Sequence, residues 1–288
     1  MFPAAPAAST GVGTTGSIVP LPSCAKLGSA PRIRAVRPAA RTHGRQALTA
    51  CPRARAGSGP RQKEGAFVTE RRALVTGGSR GIGAAIAAEL AASGHVVAVG
   101  CRAGHAAAKA VVSALPGRGH AVVSADIADP EQVEAMVSAA VSALGGVDVL
   151  VNNAAIYAHQ DIDATSYAQW QAGWRLTMDI NVHGTANVTW CVVDHLLHRA
   201  EGPAGARIIT VGSRGAYRGE PTAPAYGASK AAVHAMTQSL AVALAPHGIA
   251  VAAVAPGFVR TEMAESLLSS PVGEAIRAQS PFGRVAEP

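Results

Sequence analysis

The first 63 residues of the chain contain no aspartate or glutamate, although they hold ten of its 25 lysines and arginines. The rest of the chain holds the other 15 basic residues and all 18 acidic ones, a balance of −3. The overall charge of +7 therefore belongs to the N-terminal segment. No basic face for nucleic acid is expected on the folded part of the chain.

Membrane spans and cysteine-based sites are also missing from the sequence. No apolar run is long enough to cross a bilayer, so we expect no membrane association. The four cysteines, Cys24, Cys51, Cys101 and Cys191, are far apart, and neither a Cys-x-x-Cys pair nor a histidine cluster occurs. This pattern indicates neither a disulfide framework nor a zinc site, and no metal is predicted.

The N-terminal segment, residues 1–65, is rich in Ala, Ser, Thr, Gly, Pro and Arg and has no sustained periodicity. This composition is typical of an organellar transit peptide, and it lacks the apolar core of a secretory signal. Abundant Ser and Thr with little early Arg favour the chloroplast, with the mitochondrion as the alternative. A basic tail that is disordered and retained would have the same composition.

From Arg72 onward the sequence alternates between short apolar runs and amphipathic helical segments, as expected of a compact α/β domain. Such alternation predicts a parallel sheet with right-handed crossovers and ligands at the carboxyl ends of the strands. We expect one domain over residues 70–288. The predicted strands are 73–76, 95–100, 120–125, 147–151, 207–212 and 249–254.

A glycine-rich turn joins the first strand to the first helix. It reads Gly77-Gly-Ser79-Arg80-Gly81-Ile82-Gly83, with the spacing Gly-x-x-x-Gly-x-Gly. A turn of this kind aims backbone N–H groups and a helix N-terminus at a pyrophosphate, so it predicts a dinucleotide site in a Rossmann-type doubly wound fold. A purely structural turn is the alternative.

The end of the second strand bears on the choice of cofactor. Gly100, Cys101 and Arg102 stand where NAD-binding proteins carry an acid for the ribose hydroxyl, and Arg80 is close by in the turn. Two guanidinium groups without a carboxylate favour a 2′-phosphate, hence NADP(H). Arg102 as a solvated loop residue is the alternative.

Three polar residues follow a buried strand at 207–212. Tyr226 and Lys230 are four residues apart at the start of a helix, so their side chains share one face. An ammonium near the phenol is expected to lower the pKa of Tyr226. Ser213, at the end of the strand, could hydrogen-bond the same carbonyl oxygen. The alternative for the Tyr–Lys pair is a solvated helix face.

Together these motifs resemble the short-chain dehydrogenase/reductase family, over about residues 70–288. The thirteen-residue step from Ser213 to Tyr226 is part of that likeness. The resemblance implies that Tyr226 is the general acid/base, that Lys230 binds the nicotinamide ribose, and that Ser213 holds the substrate oxygen. Asn181 would hold a water of the proton relay, although a satisfied core amide is the other interpretation of this helical asparagine. Implied cofactor contacts, besides the turn residues, Arg102, Tyr226 and Lys230, are Asp126, Ile127, Asn153, Ala154, Pro256, Gly257, Val259 and Thr261.

The sequence departs from the family pattern at two places. Ala155 stands where the family has glycine, which should be tolerated. Residues 281–288 resemble the segment after which the family continues with another helix and a seventh strand, so we expect the last strand to be missing and an apolar sheet edge to be exposed. With that strand present, a homo-oligomer would be expected.

The expected function is NADPH-dependent reduction of a carbonyl to a hydroxyl. Among members of the family, the 3-oxoacyl-[acyl-carrier-protein] reductases of fatty-acid biosynthesis are the most similar, which implies a small-molecule carbonyl substrate or an acyl-carrier-protein thioester. The alternatives are another dehydrogenase, acting on alcohols, sugars or steroids, and a non-catalytic NADP-binding partner.

Overall fold

The computed structural model describes residues 71–288, so the predicted transit peptide lies outside the described residues. The fold is built on one parallel sheet with the strand order β3-β2-β1-β4-β5-β6, as expected for a doubly wound α/β fold. The six strands are β1 (Arg72–Val75), β2 (Val96–Cys101), β3 (Ala121–Ser124), β4 (Val149–Asn152), β5 (Arg207–Val211) and β6 (Ala250–Val254).

Helices connect successive strands and cover both faces of the sheet. They are α1 (Gly81–Ala92), α2 (His105–Ala114), α3 (Pro130–Leu144), α4 (Tyr167–Met178), α5 (Thr185–His198), α6 (Pro224–Leu244), α7 (Glu262–Leu268) and α8 (Gly273–Ala278). A π-helical turn, Asp179–Gly184, joins α4 to α5, and short 3-10 turns lie at Arg214–Ala216 and Ala245–His247. The sequence did not lead us to expect α8.

The capping residues explain where two of the helices begin. Asp129 precedes α3, and its carboxylate accepts hydrogen bonds from the backbone N–H groups of Glu131 and Gln132. Ser166 and Gln169 form a reciprocal capping box at the start of α4. These side chains satisfy N–H groups that have no partner within the helix.

The core consists of two apolar layers, one on each face of the sheet. Successive strand residues point to opposite faces, so Leu74 of β1 packs in one layer while Ala73 and Val75 pack in the other. The first layer lies under α3 and α5, and the second lies under α1 and α2. Because both faces are covered, the middle residues of the central strands are apolar on both faces.

An ion-pair network closes the amino ends of the central strands. Asp148 accepts hydrogen bonds from Arg72 at 2.8 Å and from Arg199 at 2.6 Å. Burial acts to raise the pKa of Asp148, but the bonds from the two guanidinium groups outweigh it and hold that pKa well below its usual range. The network ties β1, β4 and the end of α5 together at the end of the sheet remote from the site described below.

Strand β6 forms one edge of the sheet. Within residues 71–288 it pairs only with β5, and its residues alternate between exposed and half-buried, with Val254 48% exposed. The expected exposed apolar edge is therefore present among the described residues. The loop after β6 makes one further parallel bridge, between Val259 and Ala286.

Residues 71–288 contain neither a membrane-spanning helix nor a cluster of metal ligands. None of their helices combines the length and the apolar character that a membrane crossing requires. Nor do these residues include a group of three or more His, Cys, Asp and Glu side chains placed to hold a metal ion.

Candidate active site

A cavity of about 680 Å³ opens at the carboxyl ends of the strands. This is the edge of the sheet at which doubly wound proteins bind their ligands. Of the site residues predicted from the sequence, all except Asn181 line this cavity. They are Gly77, Ser79, Arg80, Gly81, Ile82, Gly83, Arg102, Asp126, Ile127, Asn153, Ala154, Ser213, Tyr226, Lys230, Pro256, Gly257, Val259 and Thr261.

The glycine turn needs glycine at three of its positions. Gly77 and Gly81 have φ of +62° and +52°, which residues with a side chain rarely adopt. A Cβ on Gly83 would lie 2.3 Å from the carbonyl oxygen of Gly77. The turn thus brings its backbone close to the N-terminus of α1, which attracts anionic groups.

Thr76 and Asn153 hold this turn against the neighbouring strand. The Thr76 hydroxyl accepts hydrogen bonds from the backbone N–H groups of Asn153 and Ala154, at 3.0 and 3.1 Å. The Asn153 amide donates to the carbonyls of Thr76 and Gly77, at 2.9 and 3.0 Å. Asn153 therefore braces the turn besides lining the cavity.

Both arginines expected near the cofactor lie at the rim of the cavity in ion pairs. Arg102 directly follows β2, and its guanidinium lies 3.6 Å from the Asp126 carboxylate. Arg80 lies 3.1 Å from Glu262, with both side chains more than 70% exposed. Exposed pairs of this kind contribute little stability, so both arginines can turn toward an anionic ligand.

Ser213, Tyr226 and Lys230 meet at the inner end of the cavity. Ser213 caps the 3-10 turn after β5, and its hydroxyl accepts a hydrogen bond from the Gly215 N–H at 3.0 Å. Tyr226 lies in the first turn of α6, and its phenol is close enough to Ser213 for that residue to affect its pKa. The Lys230 ammonium, 5.7 Å from the centre of the Tyr226 ring, donates to the Val211 carbonyl at 2.9 Å.

The pKa of Tyr226 departs from the sequence-based expectation. Burial raises it, the hydrogen bond with Ser213 opposes that rise, and the charge of Glu220 and the neighbouring Tyr157 add to it. The expectation of a lowered pKa is wrong here, because the loss of water around the phenol outweighs the influences that favour the phenolate. The phenol stays protonated at neutral pH, which is the state that can donate a proton.

The pKa of Lys230 is lowered to about 8 by burial. The residue is only 6% exposed, so its charged form has lost nearly all contact with water. It remains mostly protonated at neutral pH and can hydrogen-bond a ligand in the cavity.

Asn181 lies behind the cavity wall, inside the π-helical turn. Its amide accepts from the Ile156 N–H at 2.8 Å and donates to the Ile156 carbonyl and the Ser229 hydroxyl, each at 3.0 Å. Ser229 in turn donates to the Tyr226 carbonyl at 2.8 Å. Of the two interpretations of Asn181, the geometry matches the satisfied core amide, which joins the loop after β4 to α6.

A model of the family described as short chain dehydrogenase matches residues 71–271. The chain belongs to this family. It is an oxidoreductase with an NAD(P)-binding fold.

Three relatives illustrate the similarity of this short-chain dehydrogenase to known proteins. A 3-oxoacyl-[acyl-carrier-protein] reductase of Synechocystis is 35% identical over 77% of this chain and 85% of its own. A short chain dehydrogenase of Burkholderia cenocepacia in complex with NADP superposes with a TM-score of 0.66, at 36% identity over 75% of this chain and 85% of that one. A 3-oxoacyl-[acyl-carrier protein] reductase of Brucella melitensis in complex with NAD superposes with a TM-score of 0.68. It is 34% identical over 76% of this chain and 85% of its own.

The cavity of this short-chain dehydrogenase fits a dinucleotide. A backbone cradle in which Gly83 leaves no room for a side chain suits a pyrophosphate, since phosphate oxygens need a close approach of backbone N–H groups. The rim arginines suit further phosphate, and the cluster of Ser213, Tyr226 and Lys230 faces the same space. The loop after β6 closes the opposite wall with Pro256, Gly257, Val259 and Thr261.

Sequence reasoning missed three further residues in or behind this cavity. Thr76 ends the first predicted strand, but its bracing role depends on a strand about 75 residues away. Tyr157 packs against Tyr226 with ring centres 4.9 Å apart, and Glu220 lies beside Gly215 and Gly227. The one available signal was that Glu220 is the only acid between Ser213 and Tyr226.

Proposed function

We propose that this short-chain dehydrogenase reduces the keto group of a 3-oxoacyl thioester, carried in the cell by acyl-carrier protein, to a hydroxyl with NADPH. The observation that carries the proposal is the convergence of Ser213, Tyr226 and Lys230 in the cavity that the glycine turn also lines. The similarity to relatives named 3-oxoacyl-[acyl-carrier-protein] reductase supports this substrate class.

The three side chains have distinct parts in the proposed reaction. NADPH, when bound, supplies the hydride that adds to the carbonyl carbon and leaves as NADP⁺. Tyr226 gives its phenolic proton to the carbonyl oxygen, so the C=O double bond becomes C–O–H, and the phenolate regains a proton from solvent. Ser213 holds the same oxygen by a hydrogen bond, and the Lys230 ammonium stabilises the phenolate left on Tyr226.

A direct assay tests this proposal. Purified full-length protein is expected to oxidise NADPH in the presence of acetoacetyl-coenzyme A and to form the 3-hydroxyacyl product in equal amount. A panel of simple alcohols, sugars and steroids with NADP⁺ serves as the comparison. Turnover of that panel without turnover of the thioester would contradict the proposed substrate class, and binding of NADPH without any turnover would contradict the enzyme assignment.

The cofactor preference is proposed to depend on Arg102. Replacing Arg102 by alanine is expected to raise KM for NADPH by about 10- to 100-fold and to leave KM for NADH nearly unchanged, because a guanidinium–phosphate bond contributes about 1.5–3 kcal/mol. Steady-state kinetics with both cofactors measure this effect.

Arg118 provides the matched control for that substitution. It is exposed and lies away from the cavity, so Arg118→Ala should leave both KM values unchanged. Equal efficiency of the wild-type protein with NADPH and NADH would show that Arg102 does not select the cofactor.

We also propose that residues 1–65 direct the protein to the chloroplast. The support is the Ser- and Thr-rich composition of the segment, whose first 63 residues contain no Asp or Glu. A fluorescent protein fused behind this segment should accumulate in plastids of plant cells. Accumulation in mitochondria or the cytosol would contradict the proposal.

Self-association is a further part of the proposed function. Trp190 on α5 and Val242 on α6 are 68% and 78% exposed, so both apolar side chains are available to a second copy of the chain. Sedimentation of the purified protein should give a mass of at least two chains, and a Trp190→Arg variant should shift toward the monomer. A wild-type monomer at micromolar concentration would contradict it.

A further inference from the structure

A second, smaller cavity adjoins the active-site cavity. It measures about 290 Å³ and shares Arg214, Gly257 and Phe258 with the main cavity. Its remaining walls include Gln279, Ser280 and Arg284. Arg214 directly follows Ser213 in the chain, so the smaller cavity begins next to the proposed reaction centre.

Two arginine side chains converge on one uncharged oxygen at this cavity. The Gln279 side-chain oxygen accepts from Arg214 at 2.5 Å and from Arg218 at 3.1 Å. Neither guanidinium has a carboxylate within 4.0 Å among residues 71–288. Two positive charges that share one neutral acceptor repel each other, and an oxyanion in place of the amide oxygen would neutralise that repulsion.

Arg214 is fixed in position on its protein side. Its guanidinium stacks on the Phe258 ring, 4.6 Å from the ring centre, and its backbone N–H donates to the Pro256 carbonyl at 3.0 Å. Stacking of this kind restrains the guanidinium while leaving its N–H groups free to bond in the plane of the group. Arg284 adds a third positive charge to the wall.

Charges of both signs line the cleft near the reaction centre. Glu220 lines the main cavity close enough to Tyr226 to raise the pKa of that phenol, Arg284 lines the smaller cavity, and Arg214 lines both. An anionic group on the substrate would be repelled on the Glu220 side and attracted on the arginine side. The cleft can therefore orient a substrate that has a carbonyl at one end and an anion at the other.

We propose that Arg214 and Arg218, assisted by Arg284, form a subsite for a carboxylate or phosphate group of the carbonyl substrate. The inference rests on the proposed function, because it names the class of carbonyl compound that this site reduces. Gln279, at the end of α8, occupies the position of the anion until the substrate displaces its side chain.

Matched substrates with and without an anion test the subsite. Acetoacetyl-coenzyme A carries phosphates that its N-acetylcysteamine analogue lacks, and the monoethyl ester of 3-oxoadipate carries a carboxylate that the diethyl ester lacks. In at least one pair, kcat/KM of the wild-type protein should favour the anionic member by about tenfold or more, as expected for a charge-assisted bond. The pair that shows the preference tells a phosphate subsite from a carboxylate subsite.

Substitution assigns the preference to these arginines. In Arg214→Gln/Arg218→Gln the ratio of anionic to neutral kcat/KM should fall to about twofold or less, and in Arg218→Gln alone it should fall about three- to fivefold. The single variant keeps the test valid if the double variant does not fold, since Arg218 is exposed. Arg118→Gln, outside both cavities, should keep the wild-type ratio.

A chemical readout separates this subsite from the proposed function. With NADPH saturating, acetoacetyl-coenzyme A or the monoethyl ester should protect Arg214 and Arg218 from phenylglyoxal, as mapped by mass spectrometry, and the neutral partners should not. Protection without turnover would contradict the proposed function and support the subsite. Equal kcat/KM within both pairs, a preference that survives the double substitution, or absence of protection would overturn the subsite.

Discussion

The Tyr226→Phe protein is expected to lose about 10³-fold in kcat while binding NADPH with nearly wild-type affinity. The substitution removes one oxygen, and with it the only proton that the phenol could give to a carbonyl; positioned acid catalysis is typically worth 10²- to 10⁴-fold. The ring and its packing against Tyr157 remain, so the fold of the site should be preserved. Stopped-flow reduction of acetoacetyl-coenzyme A and fluorescence titration of NADPH measure the two quantities.

Tyr167→Phe is the matched control for this prediction. Tyr167 is 75% exposed at the start of α4 and does not line the cavity, so the same loss of a hydroxyl there should not change kcat. If Tyr226→Phe kept kcat within tenfold of wild type, another group would have to protonate the substrate. A loss of NADPH binding in the same variant would instead make Tyr226 a structural support for the cofactor.

Lys230→Met is expected to abolish turnover and yet make the protein more stable at neutral pH. The pKa of Lys230 lies at about 8 in the folded chain against an ordinary value of 10.5. Keeping the buried ammonium charged at pH 7 thus costs about 3 kcal/mol of folding free energy. The substitution removes this cost but also removes the hydrogen bond to the Val211 carbonyl, which stabilises the fold by about 1–2 kcal/mol. The free energy of unfolding is therefore expected to rise by about 1–2 kcal/mol.

The pH dependence of this gain follows from the direction of the shift. Between pH 8 and 10.5 the unfolded chain binds a proton on Lys230 that the folded chain has released, so the wild-type free energy of unfolding should rise with pH across this window. Lys230→Met has no such group. The amount by which its free energy of unfolding exceeds that of the wild type should therefore shrink from pH 7 toward pH 10. Urea denaturation at several pH values measures the difference.

Lys109 supplies the control for the stability prediction. It is exposed on α2, and Lys109→Met should change the free energy of unfolding by less than about 0.5 kcal/mol. A Lys230→Met protein that is less stable than wild type at pH 7, or a stability difference that does not vary with pH, would contradict the prediction.

The features that could be predicted from the sequence are those that depend on residues close together in the chain. The six strands lie within two residues of their predicted positions, because buried parallel strands are continuous apolar runs between turn residues. The glycine turn follows from backbone angles that only glycine adopts readily. Ser213, Tyr226 and Lys230 lie within eighteen residues of one another, so strand, turn and helix geometry was enough to bring them together.

The features that could not be predicted depend on contacts between distant segments. The pKa of Tyr226 is set by burial and by Glu220, neither of which can be deduced from the Tyr–Lys spacing. The meeting of Arg214 and Arg218 at Gln279 joins positions more than 60 residues apart through α8, a helix too short to show a clear period. The Arg102–Asp126 pair likewise depends on the adjacency of β2 and β3.

The hydrogen bonds among Thr76, Gly77 and Asn153 have a consequence for the speed and cost of cofactor capture. They fasten the phosphate-facing loop from two sides, so few of its torsions are left to freeze when a nucleotide arrives. The entropy cost of ordering the loop then reduces the free energy of nucleotide binding by less. Nucleotide exchange can therefore be governed by the arginines at the mouth rather than by remodelling of the loop beneath them.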